Sequence, residues 1–297
     1  MIIFTPLFSG LLNTPYDMEK FINPFTDFGF KKLFGEEVNK DLLIDFLNEL
    51  LKGKQVIKGL TYLKNEHLPS STEDHKAIFD LYCENEHGEK FIVELQKAQQ
   101  EFFKDSSIYY ATFPIQEQAQ TGYWNFELKT VYTIAIMDFV FDEKDPTFHH
   151  QVQLVDLSTQ TIFYDKLHFI YLEMPKFNKT EQQLQNRYDK WMFILKNLGQ
   201  LQHRPIALQE RIFQKLLNAA EIAQFNPTEQ LAYRNTLKYL RDLKNSLDTS
   251  YAEGKLEGKI DMVIKLIKEG SLSLEKIAVV TKLSLEEVQQ IAQNKEF

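Results

Sequence analysis

Cysteine is nearly missing from this chain: Cys83 stands alone among 297 residues, so no internal disulfide can form. A lone thiol suits a reducing cytoplasm, and its expected role is core packing and not nucleophilic attack. Long hydrophobic runs are missing too. The longest, such as Thr133 to Phe141 (TIAIMDFVF), is too short to span a bilayer. Positive charge is in short supply, with 34 Lys and Arg against 42 Asp and Glu. A net charge of −8 argues against a protein that coats nucleic acid nonspecifically, because such binding relies on Lys and Arg displacing counterions. Local patches at Lys31-Lys32, Lys52-Lys54 and Arg187-Lys190-Lys196 are candidates, each reading first as a solvated helix face. The opening stretch, MIIFTPLFSGLLNTPYD, has no Lys or Arg before Lys20 and is broken by Pro6, Gly10 and Pro15. A secretory signal needs a cationic start and a smoother apolar core, so export is not expected.

What the chain does have is an unusual pair of acids. Lys76 to Lys97 (KAIFDLYCENEHGEKFIVELQK) reads as two strands folded back at Glu86-His87-Gly88. Asp80 interrupts one apolar run and Glu94 the other, and the two are equidistant from His87. Strand residues alternate faces, so Glu94 and Gln96 share one face and Val93 and Leu95 the other. A fold about His87 makes the two carboxylates cross-strand neighbours; a two-residue turn would shift the pairing by one and make them diagonal. Like charges side by side repel unless a cation holds them, and Mg²⁺ accepts one or two carboxylates with water and phosphate completing its shell. The competing reading is the wet face of an ordinary antiparallel sheet.

An Asp at the end of one strand, then Glu-x-Gln in an apolar strand, resembles the PD-(D/E)XK nuclease superfamily. More narrowly, the chain resembles its bacterial recombination-promoting nuclease / putative transposase family. The likeness rests on FINPFTDFGFKKLFG (Phe21 to Gly35), DLLIDFLNEL (Asp41 to Leu50), Lys76 to Gln96, SIYYATFPIQEQ (Ser107 to Gln118), VYTIAIMDFVF (Val131 to Phe141) and FIYLEMPKF (Phe169 to Phe177), in order over residues 18 to 250. It implies a restriction-endonuclease-like α/β core, a mixed sheet flanked by helices with a helical C-terminal region, and Mg²⁺- or Mn²⁺-dependent hydrolysis of DNA phosphodiesters. Asp80 and Glu94 would be the metal ligands, and Gln96 stands where the superfamily has Lys. A neutral amide can orient water but cannot offset phosphate charge as an ammonium does. Lys76, on the Asp80 face of its strand, is one candidate for that charge, its alternative being a solvated strand end; Lys97 is expected on the opposite face from Gln96. Asp27 is the candidate acid from the first helix, although Thr26 or Asp27 could equally cap that helix; Glu36 and Glu37 are alternatives. Two positions depart from the family pattern. His75 and Ser106 stand where Arg is common, and neither can grip phosphate with a bidentate fork. A catalytically decayed fold, kept as a DNA- or protein-binding module, is therefore the second reading.

The remaining pattern divides the chain into an extension (1–17, with Met18 as an alternative start), a nuclease-like core (18–177), a helical extension (178–250) and a linker helix with a small tail (251–297). Helix is expected over Asp41 to Leu51 and Glu101 to Gly122, where Tyr109, Tyr110 and Phe113 read as core. Strands are expected over Gly53 to Lys64, Val131 to Phe141, and near 151–157, 161–165 and 168–174, with Pro175 closing the last. His149-His150 would point to opposite faces. From Asn178 the pattern turns helical, over Leu184 to Leu198, about 207–224 and 228–250. The near-repeat at 253–259, with Gly254 and Gly258, reads as a soft helical linker and a candidate dimer contact, since each Gly costs about 1 kcal/mol relative to Ala. In the tail, Ser284 and Glu287 form a capping box at a helix-turn-helix-like pair. Its second helix, LEEVQQIAQ, lacks Lys and Arg and so favours self-association over base reading.

Overall fold

The computed structural model of the chain describes residues 19–64, 66–67, 77–119 and 124–293. Lys76, His75, the loop at 69–71 and the first 18 residues, with their expectations, lie outside the described residues. Helix α1 spans Asp27–Phe34, and the open choice of cap is resolved. Thr26 is extended, and its hydroxyl accepts the Gly29 N–H at 2.8 Å. Gly29 has no substitute, because a Cβ there would meet the Asn23 carbonyl oxygen at 2.2 Å. Helix α2 (Lys40–Leu50) buries the expected stripe Leu42, Leu43, Phe46, Leu47 and Leu50.

The strand expected over Gly53 to Lys64 shrinks to β1, Leu60–Tyr62. Gly53 turns with φ +84°, and the Asn48 side chain holds both main-chain groups of Ile57, at 2.7 and 2.9 Å, in place of a strand partner. Strands β2 (Glu66–His67) and β3 (Ala77–Ile78) pair only with each other, so the first arm of the expected hairpin enters the main sheet only at β4, Leu81–Asn85. Strand β5 is Lys90–Gln96. Helix α3 (Phe103–Gln116) lies within the expected span, and β6 (Val131–Met137) is buried throughout. The three strands expected next are two, β7 (His149–Asp156) and β8 (Thr161–Glu173), because register shifts between Val152 and Val155 take up the irregularity in β7 and leave β8 unbroken. Pro175 follows in a short 3₁₀ turn, as anticipated.

The sheet order is β1-β4-β5-β6-β8-β7. The pairs β1/β4, β4/β5 and β7/β8 are antiparallel, while β5/β6 and β6/β8 are parallel. Helix α3 covers one face: its Phe103 and Ala111 pack with Ala135, Met137, Phe169 and Tyr171, and its Tyr110 and Phe113 with Phe79, Tyr82 and Ile92. The end of α1 reaches the sheet at Leu81, and helices α1, α2, α4 (Arg187–Asn197) and α5 (Arg211–Ala220) pack on one another. There Trp191 is ringed by Phe34, Phe46 and Phe213, and its indole N–H donates to Asp45 at 2.8 Å. Cys83 is buried, and burial pushes its thiol up to about 12, in keeping with a packing role. The outer halves of β7 and β8 carry exposed Leu154, Val155, Ile162 and Phe163.

The chain divides after Thr236 into two compact units. Helix α6 (Pro227–Glu269) starts in the first and runs on through Gly254 and Gly258 without a break. In the second unit the end of α6 packs with α7 (Leu274–Thr281) and α8 (Leu285–Gln293) around Val263, Ile277, Ala278 and Val288. Ser284 and Glu287 form the expected capping box, each taking the other's main-chain N–H. None of the described helices is long and apolar enough to cross a membrane.

Asp138, just past β6, is buried with one carboxylate oxygen unbonded, and burial lifts its pKa to about 7, with Lys196 pulling the other way. A folded pKa above the unfolded value means the native state holds the extra proton between about pH 4 and 7. The contribution is therefore full below that window and lost as pH rises through 7. Asp138→Asn should accordingly raise the midpoint of urea unfolding more at pH 8 than at pH 5, and an equal effect at both would show the carboxyl is not protonated at low pH.

Candidate active site

The turn between β4 and β5 sets the site. Asn85 accepts the N–H groups of His87 and Glu89 on its side-chain oxygen, both at 3.0 Å, and Gly88 supplies a left-handed φ of +79°. The resulting register pairs Leu81 with Val93 and Tyr82 with Ile92. Continued by one residue, it sets Asp80 opposite Glu94. Two bonds mark that continuation: the Asp80 carboxylate accepts the Leu95 N–H at 2.7 Å, and the Asp80 N–H is directed at the Glu94 carboxylate. The cross-strand arrangement is thus the one formed, and the diagonal alternative is not.

Glu94 is buried, and its Oε1 has no hydrogen-bond partner. Burial, then the charge of Asp80, raises its pKa well above the usual carboxylate range. Asp80 is raised too, chiefly by burial, while the Leu95 N–H, Lys31 and Lys97 draw it back. Tyr110 on α3 lies within electrostatic reach of Glu94, and burial followed by that charge lifts its hydroxyl. Gln96, half-buried, ends β5, where its carbonyl accepts the Asp138 N–H at 2.8 Å.

Asp27 is freed from capping by Thr26 and pairs with Lys31 at 3.0 Å, one turn along α1. It is felt electrostatically by Asp80 and Lys97, but it does not close into a three-carboxylate group with Asp80 and Glu94. Glu36 and Glu37 are turned to Lys32 and Lys40. The candidate basic patches are largely consumed within the fold: Lys32 binds Glu36 and Glu229, Arg187 binds Asp45, and Lys190 binds Glu210. His149 and His150 diverge as expected, to Tyr188 and Glu173 respectively. Tyr109 corrects the expectation of a core residue. It stays 46% exposed because its neighbours Tyr110 and Phe113 take the packing positions beneath α3. Ser106 turns inward to the Phe103 carbonyl at 2.8 Å.

Two hard oxygen donors on facing strands, one with an unsatisfied buried oxygen, fit a divalent ion of the Mg²⁺ type. Among the described residues no group of three or more His, Cys, Asp or Glu side chains converges.

A mixed six-stranded sheet with flanking helices, carrying an Asp at the entry to one strand and Glu-x-Gln at the end of the next, has the architecture of a PD-(D/E)XK-like α/β fold. The family described as PD-(D/E)XK nuclease family transposase matches residues 24–250, and the chain belongs to it. No curated protein and no solved structure matches the chain.

Because ligands that bind only the native state stabilise it, adding Mg²⁺ should raise the thermal midpoint of the wild-type protein. Glu94→Gln, an isostere that also relieves the repulsion from Asp80, should leave the metal-free midpoint unchanged or higher and abolish the Mg²⁺ response. A full response in that variant would remove Glu94 from the ligand set.

Proposed function

We propose that the chain is a Mg²⁺-dependent DNA endonuclease that hydrolyses phosphodiester bonds, acts as a transposase-like protein in DNA recombination, and works in a bacterial cytoplasm. The observation that carries this reading is the Asp80–Glu94 pair with the orphaned Glu94 oxygen. Asp80 and Glu94 would hold the ion, with Mn²⁺ an acceptable substitute. The ion would polarise a phosphoryl oxygen and lower the pKa of bound water. Around it, the Leu95 N–H fixes the Asp80 carboxylate in place, and Phe79, Tyr82 and Tyr110 wall the α3 side against bulk water. Gln96 follows Glu94 by two positions and so shares its face, where its amide would orient the attacking water. Asp27 would take the part of the first-helix acid while keeping its pairing with Lys31. Lys76, outside the described residues, is proposed as a cation on the Asp80 face.

A binding module without turnover is the rival reading. It is favoured by Ser106, whose hydroxyl is spent on its own helix where a guanidinium would meet phosphate. Plasmid nicking separates the two. Wild type with Mg²⁺ should convert supercoiled DNA to the open form, and Asp80→Ala should slow it at least about 10²-fold. Ser106→Arg should nick faster than wild type by tightening DNA binding. Cleavage untouched by both Asp80→Ala and Glu94→Ala defeats the nuclease reading, and none at any metal concentration favours its rival.

The partner surfaces proposed are DNA and a second copy of the chain, joined through the C-terminal helices. Over residues 245–258 α6 is exposed all round, and Gly254 and Gly258 would meet nothing within 4 Å even with a Cβ added. Two glycines in a bare helix cost about 2 kcal/mol relative to Ala, a cost that close approach of another helix offsets. Sedimentation equilibrium should report a dimer, and Gly254→Leu with Gly258→Leu should shift it towards monomer. A wild-type monomer at tens of micromolar would end this part of the reading.

A further inference from the structure

The superfamily motif supplies an ammonium two residues after its Glu, and here that position is Gln96. Among the described residues a cation nonetheless stands at the same end of the sheet. Strand β5 stops at Gln96, and continued alternation would turn Lys97 to the side of the sheet that carries Val93 and Leu95. Helix α1 packs on that side: a Cβ on Gly35 would lie 3.2 Å from the Leu81 side chain, and Leu81 pairs with Val93. The position of Lys97 is fixed from behind by the Asp138 N–H to Gln96 carbonyl bond.

Lys97 is half-buried and forms no ion pair with any described residue, in contrast to Lys31 and Lys32, both of which are bound to carboxylates. It is within electrostatic reach of Asp27, Asp80 and Lys31. With Lys31 and Asp27 neutralising each other, Lys97 is, among the described residues, an uncommitted positive charge within electrostatic reach of Asp80. Burial, the largest influence on it, makes an unpaired ammonium costly and so favours an anion arriving next to it. The acid pair alone would repel a phosphodiester; a fixed cation at the sheet end offsets that repulsion where charge grows in the transition state.

We propose that Lys97 is the catalytic ammonium of this chain, reaching the scissile phosphate from the α1 side in place of the lysine that Gln96 has replaced; this rests on the nuclease reading above. The test pairs plasmid nicking at saturating Mg²⁺ with calorimetric Mg²⁺ titration of the DNA-free protein, on wild type, Lys97→Met, Lys97→Arg and Lys97→Met with Gln96→Lys. Lys97→Met should lose about 10²-fold in nicking rate. It should also bind Mg²⁺ several-fold more tightly, since a neighbouring positive charge is gone. Lys97→Arg should keep most of the rate, and adding Gln96→Lys to Lys97→Met should restore at least about tenfold of it.

Wild-type nicking by Lys97→Met, alongside a dead Asp80→Ala, overturns the inference and leaves the nuclease reading standing. If wild type itself does not nick, the nuclease reading fails, and the titration decides on Lys97. Tighter Mg²⁺ binding in Lys97→Met then places its charge at the acid pair, and unchanged binding refutes that placement.

Discussion

The pairing of β4 with β5 is the constraint from which the candidate site follows. A strand shifted by one residue turns every side chain to the other face. With Leu81 opposite Val93, Asp80 must stand across from Glu94 at the mouth of the pair. The register itself is set by the turn, where one asparagine side chain takes two N–H groups and one glycine takes the left-handed conformation. A few residues at one end of a hairpin therefore decide where two acids sit at the other. The parallel ladder to β6 stiffens the arrangement, because β5 is paired with β6 from Lys90 to Gln96 and with β4 from Lys90 to Val93.

The electrostatics of the acid pair suit a bound cation. A buried carboxylate with an unbonded oxygen, facing a second, half-buried carboxylate, is unfavourable in the absence of a ligand. The reciprocal bonds between Asp80, Glu94 and the Leu95 N–H hold the two in position all the same. Several of the chain's basic residues are spent internally. Lys32, Arg187 and Lys190 join elements of the fold and are not laid out as a surface for nucleic acid. A net charge of −8 is compatible with a DNA substrate only if positive charge is delivered locally, at the sheet end.

Much of this was legible in the sequence because it is local. The bend at Glu86-His87-Gly88, the apolar stripe of α2, the buried run of β6 and the capping box at Ser284 all follow from periodicity and turn chemistry over a few residues. What could not be read depends on partners distant in sequence. The span 53–64 has strand-like composition, yet Asn48 claims Ile57 before it can pair. Which of Tyr109, Tyr110 and Phe113 is buried depends on how α3 rotates over the sheet, and helical spacing alone does not set that angle. The role of Asp27 depended on whether Thr26 took the cap. That Lys97 stands among Asp27, Asp80 and Lys31 required knowing where the strand stops and α1 lies. Alternation alone had assigned Lys97 simply to the face away from Gln96.

The division of labour between Thr26 and Asp27 has an evolutionary consequence. Thr26 secures the helix start, a contribution of about 1 kcal/mol, while Asp27 adds little beyond a favourable charge on the first turn. Position 27 can therefore drift with almost no penalty in folding, whereas position 26 cannot. Descendants of such a chain can gain, lose or regain a first-helix acid in single steps while remaining well-folded proteins. With Asp27 in the proposed role, such a lineage could alternate between working enzymes and silent copies without passing through unstable intermediates.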